Sequence, residues 1–149
     1  MLNKILEIFA RKEELKKPES GWTICEVVGE SFKNEDGSSR QDIIKKLRSG
    51  DTVYLSHDAN NPYSKSGQAI SVITDHGQIG HLPEKDEKRE AIFFRLEDGL
   101  PVEARVLNIM GGSKDRPSRG VWIEVRLDMR NELRRKEHRK EKHKKSATG

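Results

Sequence analysis

The sequence is poor in the residues that hold small folds together covalently or through metal. Its single cysteine, Cys25, excludes an internal disulfide and any zinc site built from several thiolates. Set among Ile24, Val27 and Val28, it reads as a buried, inert thiol. Apolar residues make up 32% of the 149 positions and aromatic ones 5%, so a core forms only if the apolar residues concentrate in one part of the chain. They do, in the middle. No apolar run reaches membrane length and no secretory core is present, which gives the expectation of a soluble, cytoplasmic protein without membrane contact. A glycine-rich phosphate loop of the Walker type is missing, so this chain holds no helicase motor. No serine–histidine–aspartate or cysteine–histidine order stands out. Asp51, His57 and Asp58, or His138 with His143, could be drawn together as metal sites, but their spacing does not suit ligands. The expectation is a binding protein with no catalytic residue, metal or cofactor.

Charge is what the sequence has in abundance, at 36% of residues, and it is unevenly placed. Residues 128–149 carry nine Lys/Arg against four Asp/Glu, a net of +5. The twenty basic and twenty-one acidic groups of residues 1–127 leave that part at −1. A near-neutral body argues against electrostatic binding of nucleic acid over the whole surface. The tail is either a solvated helical extension or a disordered segment. As a solubilising tail it needs no partner. As a phosphate-gripping one it would use Arg134, Arg135, Arg139 and Lys140, since basic side chains gain affinity by releasing counterions.

Three parts follow along the chain: an amphipathic helix over 1–20, a barrel-like domain over 21–127 and the basic tail over 128–149. Leu2, Ile5, Leu6 and Phe9 form the helical stripe, which Pro18 ends. This helix would dock on the domain, on a second copy to give a homodimer, or on an outside partner. The body opens with a strand from Trp22 to Val28. Ser39 and Asp42 resemble a capping pair for a short helix buried through Ile43, Ile44 and Leu47 and stopped by Gly50. Alternation marks strands over 51–56, 69–74, 78–81, 102–110 and 121–127. A second helix starts at Pro83, with Ala91, Ile92, Phe94 and Leu96 inward, and stops at Gly99. Gly111 to Gly120 reads as a mobile loop. Six short strands and two helices make a mainly β, α+β domain and suit a small curved sheet closed into a barrel.

The most informative stretch is Asp58-Ala59-Asn60-Asn61-Pro62-Tyr63, followed by Ala69-Ile70-Ser71-Val72-Ile73 and Gly77-Gln78-Ile79-Gly80-His81-Leu82. Pro62 fixes its own φ and pushes Asn61 towards extended geometry, which holds Tyr63 outward. An aromatic ring and two amides on a rigid turn can stack on a base and hydrogen-bond its neighbours. Equally, Tyr63 can cap a turn, Asn61 is ordinary chemistry before proline, and His81 can serve as a structural hydrogen bonder at a strand end.

This order of residues resembles the HIRAN family, small domains that occur alone in bacteria and phages or fused to helicase-like DNA-repair enzymes. Val27-Val28-Gly29-Glu30-Ser31-Phe32, Ser49 to Leu55, Asp98-Gly99 and Gly111-Gly112 fall in matching order, so the resemblance covers about Trp22 to Leu127. It implies an OB-like or SH3-like six-stranded barrel that binds single-stranded DNA at a free 3′ end, in DNA repair, replication or a mobile-element context, with a helicase or nuclease as partner. It implies stacking by Phe32 and Tyr63 and orientation of the terminal nucleotide by Asn61, Ser64 and His81. Lys33, exposed by pattern just after Phe32, is within reach of a backbone phosphate. The chain departs from the pattern at Ser64, where many members have an acid that helps recognise the 3′-hydroxyl. The Lys65–Gln68 link is longer than usual. Ser31 stands where a basic residue often precedes the Phe32 position, and Glu84 lies near where one follows Gly-His-Leu. These departures motivate an alternative, a protein–protein interaction domain that uses the barrel and the amino-terminal helix.

Overall fold

The computed structural model describes residues 20–148, with side chains described as far as Lys142. The amphipathic helix expected over 1–20 lies outside the described residues. Strands β1 (Trp22–Glu26), β2 (Thr52–His57), β3 (Ile70–Thr74), β4 (Gly77–His81), β5 (Ala104–Met110) and β6 (Gly120–Arg126) form one antiparallel sheet in the order β1-β6-β5-β2-β3-β4. The alternating apolar residues decide its inner face. Val53, Val72, Val106, Val121, Ile123 and Val125 are buried, while Tyr54 between Val53 and Leu55 faces out. Each large aliphatic side chain removed from water contributes about 1.5–3 kcal/mol, which is what draws the sheet round a core.

Register shifts between Val72 and Ile73 and between Val106 and Asn108 add to the curvature, since a bulge bends its strand and increases the local twist. The two edges of the sheet are thereby brought together. Val28, just past β1, donates its N–H to His81 O at 2.8 Å and accepts from His81 N–H at 2.9 Å. This contact is one bridge and not a ladder, so the sheet is a curled, OB-like barrel that is not closed. Gly80 makes the approach possible, because a Cβ there would run into the Val28 carbonyl and the Val27 side chain.

Among the described residues three helices join the sheet: α1 (Arg40–Ile44), α2 (Glu87–Glu97) and α3 (Met129–Thr148). Ser39 caps α1 by accepting the N–H of Asp42. The helix ends at Ile44 rather than running on towards Gly50, and two tight turns carry Leu47 into the core. Helix α2 starts at Glu87 rather than Pro83, because Asp86 is the residue whose carboxylate accepts the N–H of Lys88. Ile92 is buried, with Ala91, Phe93 and Leu96 packed on the core. Phe94, expected inward, instead turns to α3, where the Arg139 guanidinium lies 4.5 Å from its ring centroid. The tail is thus helical, and it is docked. Arg95 pairs with the buried Glu132 at 2.7 Å, Lys136 with Glu90 at 3.1 Å, and Arg139 with Asp98. Among the described residues no helix is long and apolar enough to cross a membrane.

Candidate functional site

Two turns flank the point where the edges of the sheet meet. The first follows β2. Asp58 donates its backbone N–H to Ala69 O at 2.8 Å, which fixes the base of the loop. Asn61 Oδ1 then accepts the Tyr63 N–H at 2.9 Å, and Asn61 O accepts the Ser64 N–H at 3.3 Å, with Pro62 between. The turn is therefore defined by backbone, proline and an asparagine side chain at once. It projects Tyr63 into solvent, 91% exposed.

His81 lies behind this turn. Its Nε2 is 2.9 Å from Asp58 Oδ2, 3.4 Å from Asn61 Nδ2 and 3.5 Å from both Ser71 Oγ and Gln78 Nε2. With Asp58 ionised, Nε2 carries the proton and donates it to the carboxylate, which sets the plane of the ring. Asp58, whose backbone oxygen accepts the Asn61 N–H, thus joins the Tyr63 turn to the His81 ring.

The second turn follows Val28. Phe32 donates its N–H to Gly29 O at 3.1 Å, and its ring is 68% exposed. Arg40, only 8% exposed, supports the turn from beneath by donating from Nη1 to Gly29 O and from Nε to Asn34 Oδ1. Burial holds this guanidinium below the usual arginine range, against an opposing pull from the charge of Asp58. No carboxylate among the described residues lies within ion-pair distance of Arg40. Asn34 extends the support by donating to Gln78 O at 3.0 Å on β4. Lys33, exposed, faces Ser39 across a backbone bridge. Through Val28–His81 and Asn34–Gln78, the turns bearing Phe32 and Tyr63 are tied to the same strand.

Ser64 is not alone. Its hydroxyl donates to Glu84 Oε1 at 2.8 Å, and the N–H of Ser66 reaches the same oxygen at 2.9 Å, joined by the Ser66 hydroxyl. Glu84 Oε2 takes no hydrogen bond among the described residues. Burial pushes the Glu84 carboxyl up, but the bonds from Ser66 and Ser64 and the charge of Arg89 outweigh it, and its pKa falls below the ordinary carboxylate value. An ionised carboxylate therefore stands beside Ser64 at neutral pH.

The structure brings Asn61, Tyr63, Ser64 and His81 together and ties them to Phe32 and Lys33. Arg134, Arg135, Arg139 and Lys140 are placed apart, on the helix docked against α2. Arg139 is occupied by Asp98 and Phe94, Arg135 lines the cleft between α2 and α3, and Arg134 and Lys140 are exposed. Sequence reasoning missed the parts played by Glu84, Arg40 and Asp58. Asp58 opens the very motif that drew attention to Tyr63, and that was the available signal. For Glu84 and Arg40, which arrive from other elements, the sequence carried none. Asp51 accepts the Arg48 N–H, His57 contacts Gly67 O and Asp58 contacts His81, so the three are separately engaged. Among the described residues no group of three or more His, Cys, Asp or Glu is placed to hold a metal ion.

No family model matches the chain, and no curated protein matches it at a significant level. Two solved structures are similar. A protein from Lactobacillus plantarum superposes with a TM-score of 0.51 at 19% identity, covering 68% of this chain and 89% of that one, and shares its fold. The HIRAN domain of human HLTF gives a TM-score of 0.47 at 22% identity, covering 73% of this chain and 78% of that one.

Proposed function

We propose that this protein binds single-stranded nucleic acid without a catalytic step, and that it receives a free 3′ end of DNA between the turns bearing Tyr63 and Phe32. The observation that carries this reading is the pair of outward aromatic rings, 91% and 68% exposed, on two turns locked to the same strand. On turns held by hydrogen bonds the backbone has little freedom left to lose when a base stacks on these rings. Base–aromatic stacking contributes about 1–3 kcal/mol per base. Asn61 carries amide hydrogens at the base of the Tyr63 turn, and Lys33 supplies a cation for a phosphate.

The resemblance implies an acid immediately after Tyr63 for the terminal hydroxyl. Glu84 brings that charge to the same place from the other side of Ser64, with Oε2 open to accept a hydrogen bond. An ionised carboxylate accepts from a sugar hydroxyl and repels a terminal phosphate. The test is binding of a labelled oligonucleotide ending in a 3′-hydroxyl against the same strand ending in a 3′-phosphate. The hydroxyl form should bind at least about tenfold tighter, and Glu84→Gln should narrow that gap, since one removed charge repulsion of about 1.4 kcal/mol is tenfold. Equal binding of both ends by the unaltered protein would reduce the site to a general strand binder. Absence of binding to either would favour a protein partner for the same exposed rings.

A further inference from the structure

The loop between β5 and β6 carries three cations, Lys114, Arg116 and Arg119, against one acid, Asp115, in a body whose net charge is −1. Among the described residues none of the three cations has an ion pair. The loop carries its own hydrogen bonds. Gly112 and Ser113 donate their N–H groups to Arg116 O at 2.7 and 3.1 Å, and Arg116 donates back to Ser113 O at 3.2 Å. Gly111 and Gly112 both adopt positive φ. A Cβ on Gly112 would lie 2.8 Å from the Arg119 guanidinium carbon, so that side chain is laid across the loop backbone.

The loop's place is set by one residue, Gln41. Its Nε2 donates to Arg119 O at 2.9 Å and to Glu30 O at 3.1 Å, and its Oε1 accepts the Arg119 N–H at 2.7 Å. Glu30 belongs to the Gly29–Phe32 turn that presents the Phe32 ring. A continuous series of hydrogen bonds, through side chains as well as backbone, thus runs from the Tyr63 turn by way of Asp58, His81 and Val28 to Phe32, and on through Gln41 to the cationic loop.

We propose that the β5–β6 loop is a second binding site, for the phosphodiester backbone of nucleotides further along a strand whose end sits between Tyr63 and Phe32. This rests on the function proposed above and extends it from an end-binding pocket to a track several nucleotides long. Unpaired basic groups on a preordered loop bind phosphates without regard to sequence, by counterion release, and each contact adds about 0.7 to the salt slope for single strands. Lys114 and Arg116 are both exposed, open to such a strand.

The test uses the full chain and fluorescein-labelled oligothymidylates of about three and about twelve nucleotides, both with free 3′-hydroxyls, a span set by the size of known single-strand sites. The unaltered protein should bind the longer strand more tightly. The double variant Lys114→Ala/Arg116→Ala, altered only at exposed positions, should lose about tenfold on the longer strand, keep its affinity for the shorter one, and show a salt slope smaller by about 1.4. Arg119→Ala, made separately, should act in the same direction. Unchanged binding of the longer strand by both variants would overturn the loop site and leave the pocket standing. Equal loss on both lengths would overturn it too, since the loop would then act on the pocket and not beyond it. If the unaltered protein bound neither strand, the proposed function and the loop site would fall together.

Discussion

Cys25 and Tyr63 show how much of the molecule is decided residue by residue. Burial pushes the Cys25 thiol up from 9.0 to about 12, with the Lys88 ammonium pulling it down and Asp86 adding to the rise. A thiol that keeps its proton in the folded state above pH 9, where the unfolded chain has lost it, contributes stability that is complete below pH 9 and lost as pH rises towards 12. Between about pH 8 and pH 10 urea unfolding should show the unaltered protein losing about 1.4 kcal/mol more than Cys25→Ala. The inert thiol was legible from its apolar neighbours. The exposure of Tyr63 was legible as well, because proline and the asparagine before it act over three residues. Glu84 was not. As a sequence position it looked like a lost cation, and its role depends on a helix that begins only at Glu87 and leaves Pro83 and Glu84 in the approach, facing Ser64 and Ser66. Arg40 was hidden for a similar reason. A charged residue at the first turn of a short helix reads as exposed until Gly29 and Asn34 supply acceptors for it.

Among the elements, strands followed from alternation with errors of a residue or two at their ends, because a buried valine every second position leaves only one face for the core. Where a bulge interrupts that period, as at Leu107 in β5, two successive residues turn inward and the pattern fails locally. Helix ends were read less well. Capping carboxylates and hydroxyls set them, and several candidates stood within a few residues of one another. The element that matters most to the proposed function is the junction of β4 with the chain after β1. Gly80→Ala would force a methyl group against the Val28 carbonyl and the Val27 side chain. Such overpacking costs about 1–3 kcal/mol, measurable by urea unfolding. Because the Val28–His81 bridge holds the Phe32 turn beside the Tyr63 turn, the same change should also weaken strand binding in whatever fraction remains folded.

For the whole molecule, the uneven charge was plain in the sequence but its disposition was not. The tail read as a solvated arm or a disordered one, whereas Arg95–Glu132, Lys136–Glu90 and Arg139–Asp98 lay it along α2 and spend some of its cations internally. On the proposed function, the surface left for a nucleic acid is a local one: two aromatic turns at an open seam of a curled sheet, the Glu84 carboxylate and a few cations. A local surface should show a moderate salt slope with a large share of salt-independent stacking. The measurement that tests this most directly is the affinity of Tyr63→Ala for a short single strand with a free 3′-hydroxyl, beside its thermal unfolding. Since the ring is 91% exposed, the melting temperature should stay unchanged. Binding should weaken by about 1–3 kcal/mol at every salt concentration. Undiminished binding by this variant would contradict the account and leave the cations alone to explain any affinity.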